Sequence, residues 1–106
     1  MLESVYQSRV LDKLRDMFPG CVIIRNDSAY LQGIPDWTIL YGRYWAMLEI
    51  KASRKARRQP NQSWYVEKLG EMSFAAFIFP DNEEEVLDAL EQALRPRRRT
   101  RVPQRV

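Results

Sequence analysis

The chain has 106 residues, of which 45% are hydrophobic and 29% charged, a composition typical of a single globular domain. It contains no histidine, which excludes histidine-based triads, histidine-ligated zinc and histidine-dependent nucleases, and its one cysteine excludes an internal disulfide and suits a reducing cytoplasm. The net charge of +3 is concentrated in two basic segments, while residues 1–94 together carry a net charge of −3.

The N-terminal segment predicts an amphipathic helix and a short strand. Apolar residues recur at helical spacing from Leu2 to Met17, and Pro19-Gly20 ends the pattern, so a helix is predicted over residues 2–18. The apolar run over residues 21–25 predicts a strand. No apolar run in the chain approaches the ~20 residues of a membrane span, so no membrane partner is expected.

The next two strands are predicted to form a hairpin. Residues 26–33 are a polar connection, which ends in a turn at Gly33-Ile34-Pro35. Residues 36–41 and 44–51 are rich in aromatic and β-branched side chains, which favour strands. The Gly42-Arg43 pair between them suits a two-residue hairpin loop.

A basic loop and a second helix follow the hairpin. Five positive charges lie between Lys51 and Arg58. Pro60 can open a helix, and Gly70 is its predicted end. The apolar residues of this helix are spaced for packing and comprise Trp64, Tyr65 and Leu69.

The last part of the body predicts a strand over residues 73–79 and a final helix. Asp81 and Glu84 have the spacing of a capping box at the start of this helix. Its buried stripe is predicted to comprise Val86, Leu87, Leu90 and Leu94. The order α-β-β-β-α-β with a C-terminal helix predicts an α/β domain over residues 1–94.

Residues 95–106 predict a basic tail with little fixed structure, because they contain six arginines, no acid and almost nothing to bury. Segregated basic segments favour a polyanionic partner, usually nucleic acid. A solvated loop and a disordered tail would give the same pattern, and charge alone leaves both interpretations open.

Three charged side chains are predicted to converge on the hairpin. Asp36 begins its first strand, and Glu49 and Lys51 lie at the end of its second. Because side chains alternate between the faces of a strand, Glu49 and Lys51 share one face. The hairpin brings the start of one strand beside the end of the other, so the three groups should meet at one edge of the sheet.

Such a cluster is costly unless it holds a cation, because two carboxylates repel each other and burial increases the cost. Mg²⁺, or Mn²⁺ in its place, prefers oxygen ligands, which Asp36, Glu49 and the Ile50 carbonyl could supply. The metal would neutralise a phosphodiester and acidify a water, and Lys51 would orient that water and stabilise the transition state. The alternative is an ordinary Glu–Lys pair on a half-exposed strand, which is common.

The segment Gly33-Ile34-Pro35-Asp36, followed after a hairpin by Leu48-Glu49-Ile50-Lys51, resembles the signature of the PD-(D/E)xK nuclease superfamily. The element order is similar to the restriction-endonuclease-like core of that superfamily. The chain most resembles VRR-NUC domains and small phage-type, Holliday-junction-resolvase-like nucleases. The resemblance implies a Mg²⁺-dependent deoxyribonuclease with Asp36, Glu49 and Lys51 in its catalytic centre.

The resemblance adds two catalytic candidates. Family members carry a glutamine in the helix after the lysine, where Gln62 stands here, and often an acid near the start of the first helix, where Glu3 stands. Gln62 could instead be a helix-surface amide, and an acid at a helix start is favoured by the helix dipole in any protein. Trp37 departs from the pattern, since a smaller apolar residue is commoner at its position.

DNA, branched or duplex, is the expected partner. The basic residues beside the proposed metal site are expected to contact phosphates and give salt-dependent, sequence-independent affinity; they are Arg54, Lys55, Arg57 and Arg58. No base-reading helix is apparent, so recognition is expected to depend on DNA structure or backbone. A homodimer is expected, since two active sites would suit a substrate that is cut on two strands.

Two other functions remain open on the sequence alone. The chain could be a catalytically idle nucleic-acid-binding module on the same fold, although a binder does not need the costly charge cluster. It could also be a basic-tailed interaction protein without a nucleic-acid role.

Overall fold

The computed structural model describes residues 1–96, which form one mixed four-stranded sheet and three helices. The predicted α/β class and the predicted element order, including the C-terminal helix, are confirmed. The elements are α1 (Glu3–Met17), β1 (Val22–Arg25), β2 (Trp37–Tyr41), β3 (Tyr44–Ile50), α2 (Gln62–Met72), β4 (Phe74–Ile78), a 3₁₀ turn (Pro80–Asn82) and α3 (Glu83–Leu94).

The sheet has the order β1-β2-β3-β4, in which the first three strands are antiparallel and β4 is parallel to β3. A parallel pair needs a crossover connection, which α2 supplies. The β2–β3 loop is the predicted pair Gly42-Arg43, and Gly42 has the positive φ, 62°, that a two-residue hairpin loop favours.

One face of the sheet carries the hydrophobic core, covered by α1 and α3. The fully buried strand residues of this core are Ile39, Ala46, Leu48, Ile50 and Ile78. Because Leu48 and Ile50 of β3 point into the core, Glu49 and Lys51 must point to the opposite face. The hydrophobic core therefore decides on which face Glu49 and the following Lys51 lie.

Helices α1 and α3 are joined by a polar contact that the sequence did not reveal. The Tyr6 hydroxyl donates a 2.8 Å hydrogen bond to Glu83 Oε1, and the Lys13 ammonium binds the other Glu83 oxygen. Burial of Glu83 opposes ionisation, but the hydrogen bonds from Lys13 and Tyr6 outweigh it and lower the pKa of Glu83. Burial, together with Glu83, raises the pKa of Tyr6.

Glu83→Gln should therefore lower the free energy of unfolding by about 1 kcal/mol at neutral pH. A carboxyl whose pKa is lowered in the folded state stabilises the fold above its unfolded value, about 4.3, and this contribution disappears as pH falls through the folded value. The difference between wild type and variant should thus shrink in acid. Urea unfolding across a pH series measures this difference in the free energy of unfolding. Glu84→Gln is the control, because Glu84 is an exposed neighbour. If the free energy of unfolding depended on pH in the same way in both variants, the stabilising role of Glu83 would be contradicted.

Helix α2 differs from its prediction at both ends. It begins at Gln62, because Asn61 has a left-handed backbone (φ 71°) that separates Pro60 from the helix. It continues through Gly70 to Met72, so the predicted end at Gly70 is wrong. Instead Ser73 follows the helix, and its hydroxyl donates to the Trp45 carbonyl at 2.5 Å, a tertiary contact that overrides the local preference of glycine.

The predicted capping box at the start of α3 is also wrong. Asp81 lies within the 3₁₀ turn and pairs with Arg54 at 3.6 Å. The polar side chain that holds this turn is Asn82, whose Oδ1 accepts the Phe79 N–H at 2.9 Å and whose Nδ2 donates to the Phe77 carbonyl at 3.1 Å.

Two apolar residues predicted to pack are exposed. Leu2 precedes α1 and is 71% exposed, and Trp64 of α2 is 57% exposed, lying edge-on to Tyr65. Of the predicted tail, Arg95 contacts the body, since its Nη2 donates to the Met17 carbonyl at 2.6 Å. Residues 97–106 lie outside the described residues. Within residues 1–96, no helix is long and apolar enough to cross a membrane.

Candidate active site

The structure brings Asp36, Glu49 and Lys51 together on the face of the sheet opposite the core. Trp37 pairs with Leu48, so the residue before β2, Asp36, lies opposite Glu49. The Asp36 amide donates to Glu49 Oε1 at 3.0 Å, and Lys51 Nζ lies 3.3 Å from Glu49 Oε2. This juxtaposition follows from the register of the hairpin.

The cluster is largely removed from water. Glu49 is 2% exposed and Lys51 is 9% exposed, whereas the Asp36 side chain is 21% exposed. Burial and the nearby Asp36 carboxylate raise the pKa of Glu49, while Lys51 and the Asp36 amide act in the opposite direction. The site therefore holds a carboxylate whose charge is only partly compensated by the protein.

A cleft of about 400 Å³ opens above these residues. Asp36, Glu49 and Lys51 line its floor. Glu3, Gln59 and Gln62 form one wall, and five residues of the β1–β2 connection form the other: Ser28, Ala29, Gln32, Gly33 and Ile34. A larger cleft of about 620 Å³ lies between α1 and α3, but its central charges, Lys13 and Glu83, are already paired with each other.

Gln62 and Glu3, the two candidates from the resemblance, both reach this cleft. Gln62 is 3% exposed; its Oε1 accepts the Gln59 N–H at 2.9 Å, and its Nε2 makes no hydrogen bond within residues 1–96. Glu3 Oε1 accepts the Ala52 N–H at 3.0 Å, which ties the start of α1 to the residues that follow β3. Each side chain thus has a structural contact and one group left for a ligand.

Arg25 is a cleft residue that sequence reasoning missed. Its Nη2 lies 4.0 Å from Asp36 Oδ2, and its guanidinium lies 4.9 Å from the centre of the Trp37 ring. It ends β1 and reaches the cleft because β1 pairs with β2 in the register Arg25↔Trp37. No local motif marks it, since that register depends on contacts distant in sequence.

Asn26 was also missed, and it fixes the backbone around Asp36. Its N–H donates to the Asp36 carbonyl at 2.7 Å, and its Nδ2 donates to the Pro35 carbonyl at 2.8 Å. Its Oδ1 accepts the Thr38 hydroxyl at 2.9 Å. The start of β2, where Asp36 lies, is therefore held by main-chain and side-chain bonds together.

Gly33 brings the two walls of the cleft into contact. Its φ is 95°, and a Cβ at this position would lie 2.5 Å from the Pro60 carbonyl oxygen and 2.7 Å from Asn61 Cβ. Only glycine permits this approach of the turn before Asp36 to the start of α2. The contact places the start of α2, where Gln62 lies, beside the turn before Asp36.

Gly33→Ala should destabilise the fold by about 1–3 kcal/mol and displace the start of α2. Gly20→Ala is a matched control, because Gly20 also has a positive φ, 88°, but nothing lies within 4 Å of the added carbon. Chemical denaturation of both variants measures the difference. If Gly33→Ala and Gly20→Ala lower the free energy of unfolding equally, the positive φ alone explains the need for glycine at position 33, and the contact with Pro60 and Asn61 does not.

Two of the four residues predicted to contact phosphate are engaged with the body of the protein. Arg54 pairs with Asp81 and lies over the Phe79 ring, and Arg58 lies 3.9 Å from the centre of the Phe77 ring. Lys55 and Arg57 are exposed and form no ion pair within residues 1–96. They are the more available cations of the basic loop.

The basic loop is joined to the site through its backbone. Lys51 Nζ donates to the Arg57 carbonyl at 3.3 Å, in addition to its contact with Glu49. The position of the buried ammonium therefore depends on the loop that carries the exposed cations.

The oxygen donors suit a hard divalent cation that keeps several waters. Asp36 and Glu49 are the two neighbouring carboxylates that could contribute to such a site. Within residues 1–96, no group of three or more histidine, cysteine, aspartate or glutamate side chains could hold a metal ion. The Ile50 carbonyl accepts a long hydrogen bond, 3.4 Å, from Gln7 Nε2, and a carbonyl retains a second lone pair. Mg²⁺ is commonly held by one or two carboxylates with waters and phosphate oxygens.

Comparisons of the chain with protein-family models, with curated proteins and with solved structures found no match.

Proposed function

We propose that this chain is a Mg²⁺-dependent DNA endonuclease of the PD-(D/E)xK type with a restriction-endonuclease-like core. The observation that carries the proposal is the buried Glu49, bound to the Asp36 amide and the Lys51 ammonium at the floor of a cleft. A fold gains nothing from placing a second carboxylate beside a buried one, because the repulsion is unfavourable. A cation that binds both would relieve it.

Asp36 and Glu49, with the Ile50 carbonyl, would hold Mg²⁺, and Mn²⁺ could replace it. When bound, the ion would neutralise the phosphodiester and acidify a water near it. Lys51 would orient the attacking water and stabilise the added negative charge in the transition state. Water would replace one ester oxygen at phosphorus, without a covalent intermediate.

Gln62 and Glu3 have supporting roles in this proposal. The Nε2 of Gln62 is a donor for a phosphate oxygen or for the water. Glu3 positions the end of β3 through Ala52, and its second oxygen remains free to accept from water. Lys55 and Arg57 would contact the DNA backbone, with affinity that falls as salt rises.

Recognition would depend on DNA structure and backbone, because the cleft is lined mainly by polar groups. A homodimer is supported by exposed apolar side chains on the edge strand β1 and on its neighbour β2, where Val22, Ile24 and Leu40 are 54%, 43% and 39% exposed. A second copy would cover them. Sedimentation of wild type and Ile24→Lys tests this part of the proposal.

The decisive experiment incubates the protein with linear, circular and branched DNA in Mg²⁺, Mn²⁺ or chelator and maps the cuts. Cleavage that needs Mg²⁺ or Mn²⁺ and is lost in Asp36→Asn is the expected result. Salt-dependent binding without cleavage in either metal would instead identify a catalytically idle binding module. Cleavage that persists in excess chelator would contradict the mechanism.

A further inference from the structure

Two cations line the cleft of the candidate active site within residues 1–96, and they differ in exposure. Lys51 is 9% exposed, and its ammonium contacts Glu49 and the Arg57 carbonyl. Arg25 lies at the end of β1, and its side chain is 62% exposed. Arg25 is therefore the more accessible of the two cations to a ligand from solvent.

The exposed guanidinium of Arg25 lies over an aromatic ring that the core holds in place. Arg25 and Trp37 pair directly across β1 and β2, so their side chains lie on the same face of the sheet. The guanidinium carbon is 4.9 Å from the centre of the Trp37 ring, within the range of cation–π attraction. Trp37 in turn packs against the hydrophobic core. This contact restricts a flexible arginine, and it gives a physical reason for the tryptophan that departs from the nuclease pattern.

The same guanidinium lies beside a carboxylate of the proposed metal site. Arg25 Nη2 is 4.0 Å from Asp36 Oδ2. This distance is too long for a hydrogen bond, so the two groups attract each other by charge while the N–H donors remain available to another acceptor. Paired guanidinium donors match the oxygens of a phosphate. Arg25 thus lies beside the carboxylate at which metal and phosphate would meet in the proposed function.

We infer that Arg25, positioned by Trp37, binds a phosphate oxygen of the DNA, and that in the DNA-free protein it competes with the metal ion for Asp36. A positive charge 4.0 Å from Asp36 already offsets part of the charge of this carboxylate, so it reduces the attraction for a second cation. A bound phosphate would engage the guanidinium and remove this competition. DNA and metal would therefore strengthen each other's binding. This inference rests on the proposed function and names a phosphate-binding residue of its site.

The test measures two affinities separately: that of the DNA-free protein for Mg²⁺, by titration calorimetry, and that of the protein in chelator for a short DNA duplex. Arg25→Gln should bind Mg²⁺ about two-fold to ten-fold more tightly, because the competing charge is lost. It should bind the duplex about three-fold to thirty-fold more weakly, and its salt slope should decrease by about 0.9. A purely structural role of Arg25 would weaken both affinities.

Arg43→Gln is the matched control, because it removes the same charge from an exposed position in the hairpin loop, at the far end of β3 from Glu49 and roughly 20 Å away. At that distance the charge is screened, so the Mg²⁺ affinity should not change. Trp37→Leu should weaken duplex binding only while Arg25 is present, and Trp37→Phe, which keeps a ring, should retain most of the binding. Circular dichroism checks that the Trp37 variants fold.

The outcomes for Arg25 and for catalysis are separate. If Arg25→Gln does not tighten Mg²⁺ binding, or weakens duplex binding no more than Arg43→Gln does, the inference is overturned, whether or not the wild type cleaves DNA in Mg²⁺. If Arg25→Gln shows the two opposite changes but the wild type cleaves no DNA in Mg²⁺ or Mn²⁺, the role of Arg25 stands and the nuclease proposal fails.

Discussion

Lys51→Ala is expected to slow DNA cleavage by about two to three orders of magnitude at saturating DNA. The ammonium is buried beside Glu49 and lines the cleft, so under the proposed mechanism it would act on charge that develops at the reacting phosphate. An interaction made only in the transition state lowers the rate without weakening ground-state binding. Single-turnover rates and equilibrium binding, measured on the same substrate, separate the two effects.

Lys55→Ala is the matched control for Lys51→Ala. Lys55 is exposed on the basic loop, so its loss should reduce affinity and decrease the salt slope on duplex DNA by about 0.9, while the saturated rate is retained. Circular dichroism checks that the Lys51 variant folds. If Lys51→Ala lowered binding and rate by the same small factor, the residue would be only an electrostatic contact.

Asp36→Asn and Glu49→Gln are each expected to abolish cleavage and to remove the stabilisation of the protein by Mg²⁺. For the wild type, Mg²⁺ at 100 times its dissociation constant should add about 2.7 kcal/mol to the free energy of unfolding. Asp36→Asn keeps the hydrogen bond from the backbone N–H of residue 36 to Glu49. A loss of cleavage in this variant would therefore result from the missing carboxylate and not from unfolding. Thermal melts with Mg²⁺ and with chelator measure the difference.

The metal-dependent stabilisation should increase with pH. Burial and Asp36 raise the pKa of Glu49, so without metal its contribution to stability is present below the ordinary glutamate value and is lost as pH rises through the raised value. Metal binding requires the ionised carboxylate and releases the proton, so apparent affinity rises over the same range. Asp88→Asn, an exposed acid on α3, should respond like the wild type. If Mg²⁺ still stabilised Glu49→Gln, the metal would bind at a site other than the one formed by Asp36 and Glu49.

The parts of the fold that depend on neighbours in sequence could be predicted. The hairpin was predicted from the alternation of side chains and a two-residue loop. These two features were enough to predict that Asp36, Glu49 and Lys51 lie close together. The spacing of apolar residues in α1 and α3 likewise predicted the helices that cover the core, including the buried Val10 and Leu90. That the fold is restriction-endonuclease-like stays a prediction.

The features that could not be predicted depend on contacts between distant segments. Arg25 reaches the cleft only through the pairing of β1 with β2, and Glu83 meets Tyr6 only because α3 packs beside α1. The continuation of α2 through Gly70 depends on where β3 places the carbonyl that Ser73 binds. Patterns among neighbouring residues in the sequence cannot predict these contacts between distant segments.

The alternation along β3 also limits how this chain can vary. Leu48 and Ile50 face the core while Glu49 and Lys51 face the cleft, and the Gly42-Arg43 loop fixes that phase. Insertion or loss of a single residue between the loop and Glu49 would exchange the two faces, burying charge in the core and exposing leucine in the cleft. A change of two residues would preserve the phase. Natural variants that still fold should therefore gain or lose residues between the loop and Glu49 in even numbers, so this stretch of β3 is constrained in parity more than in length.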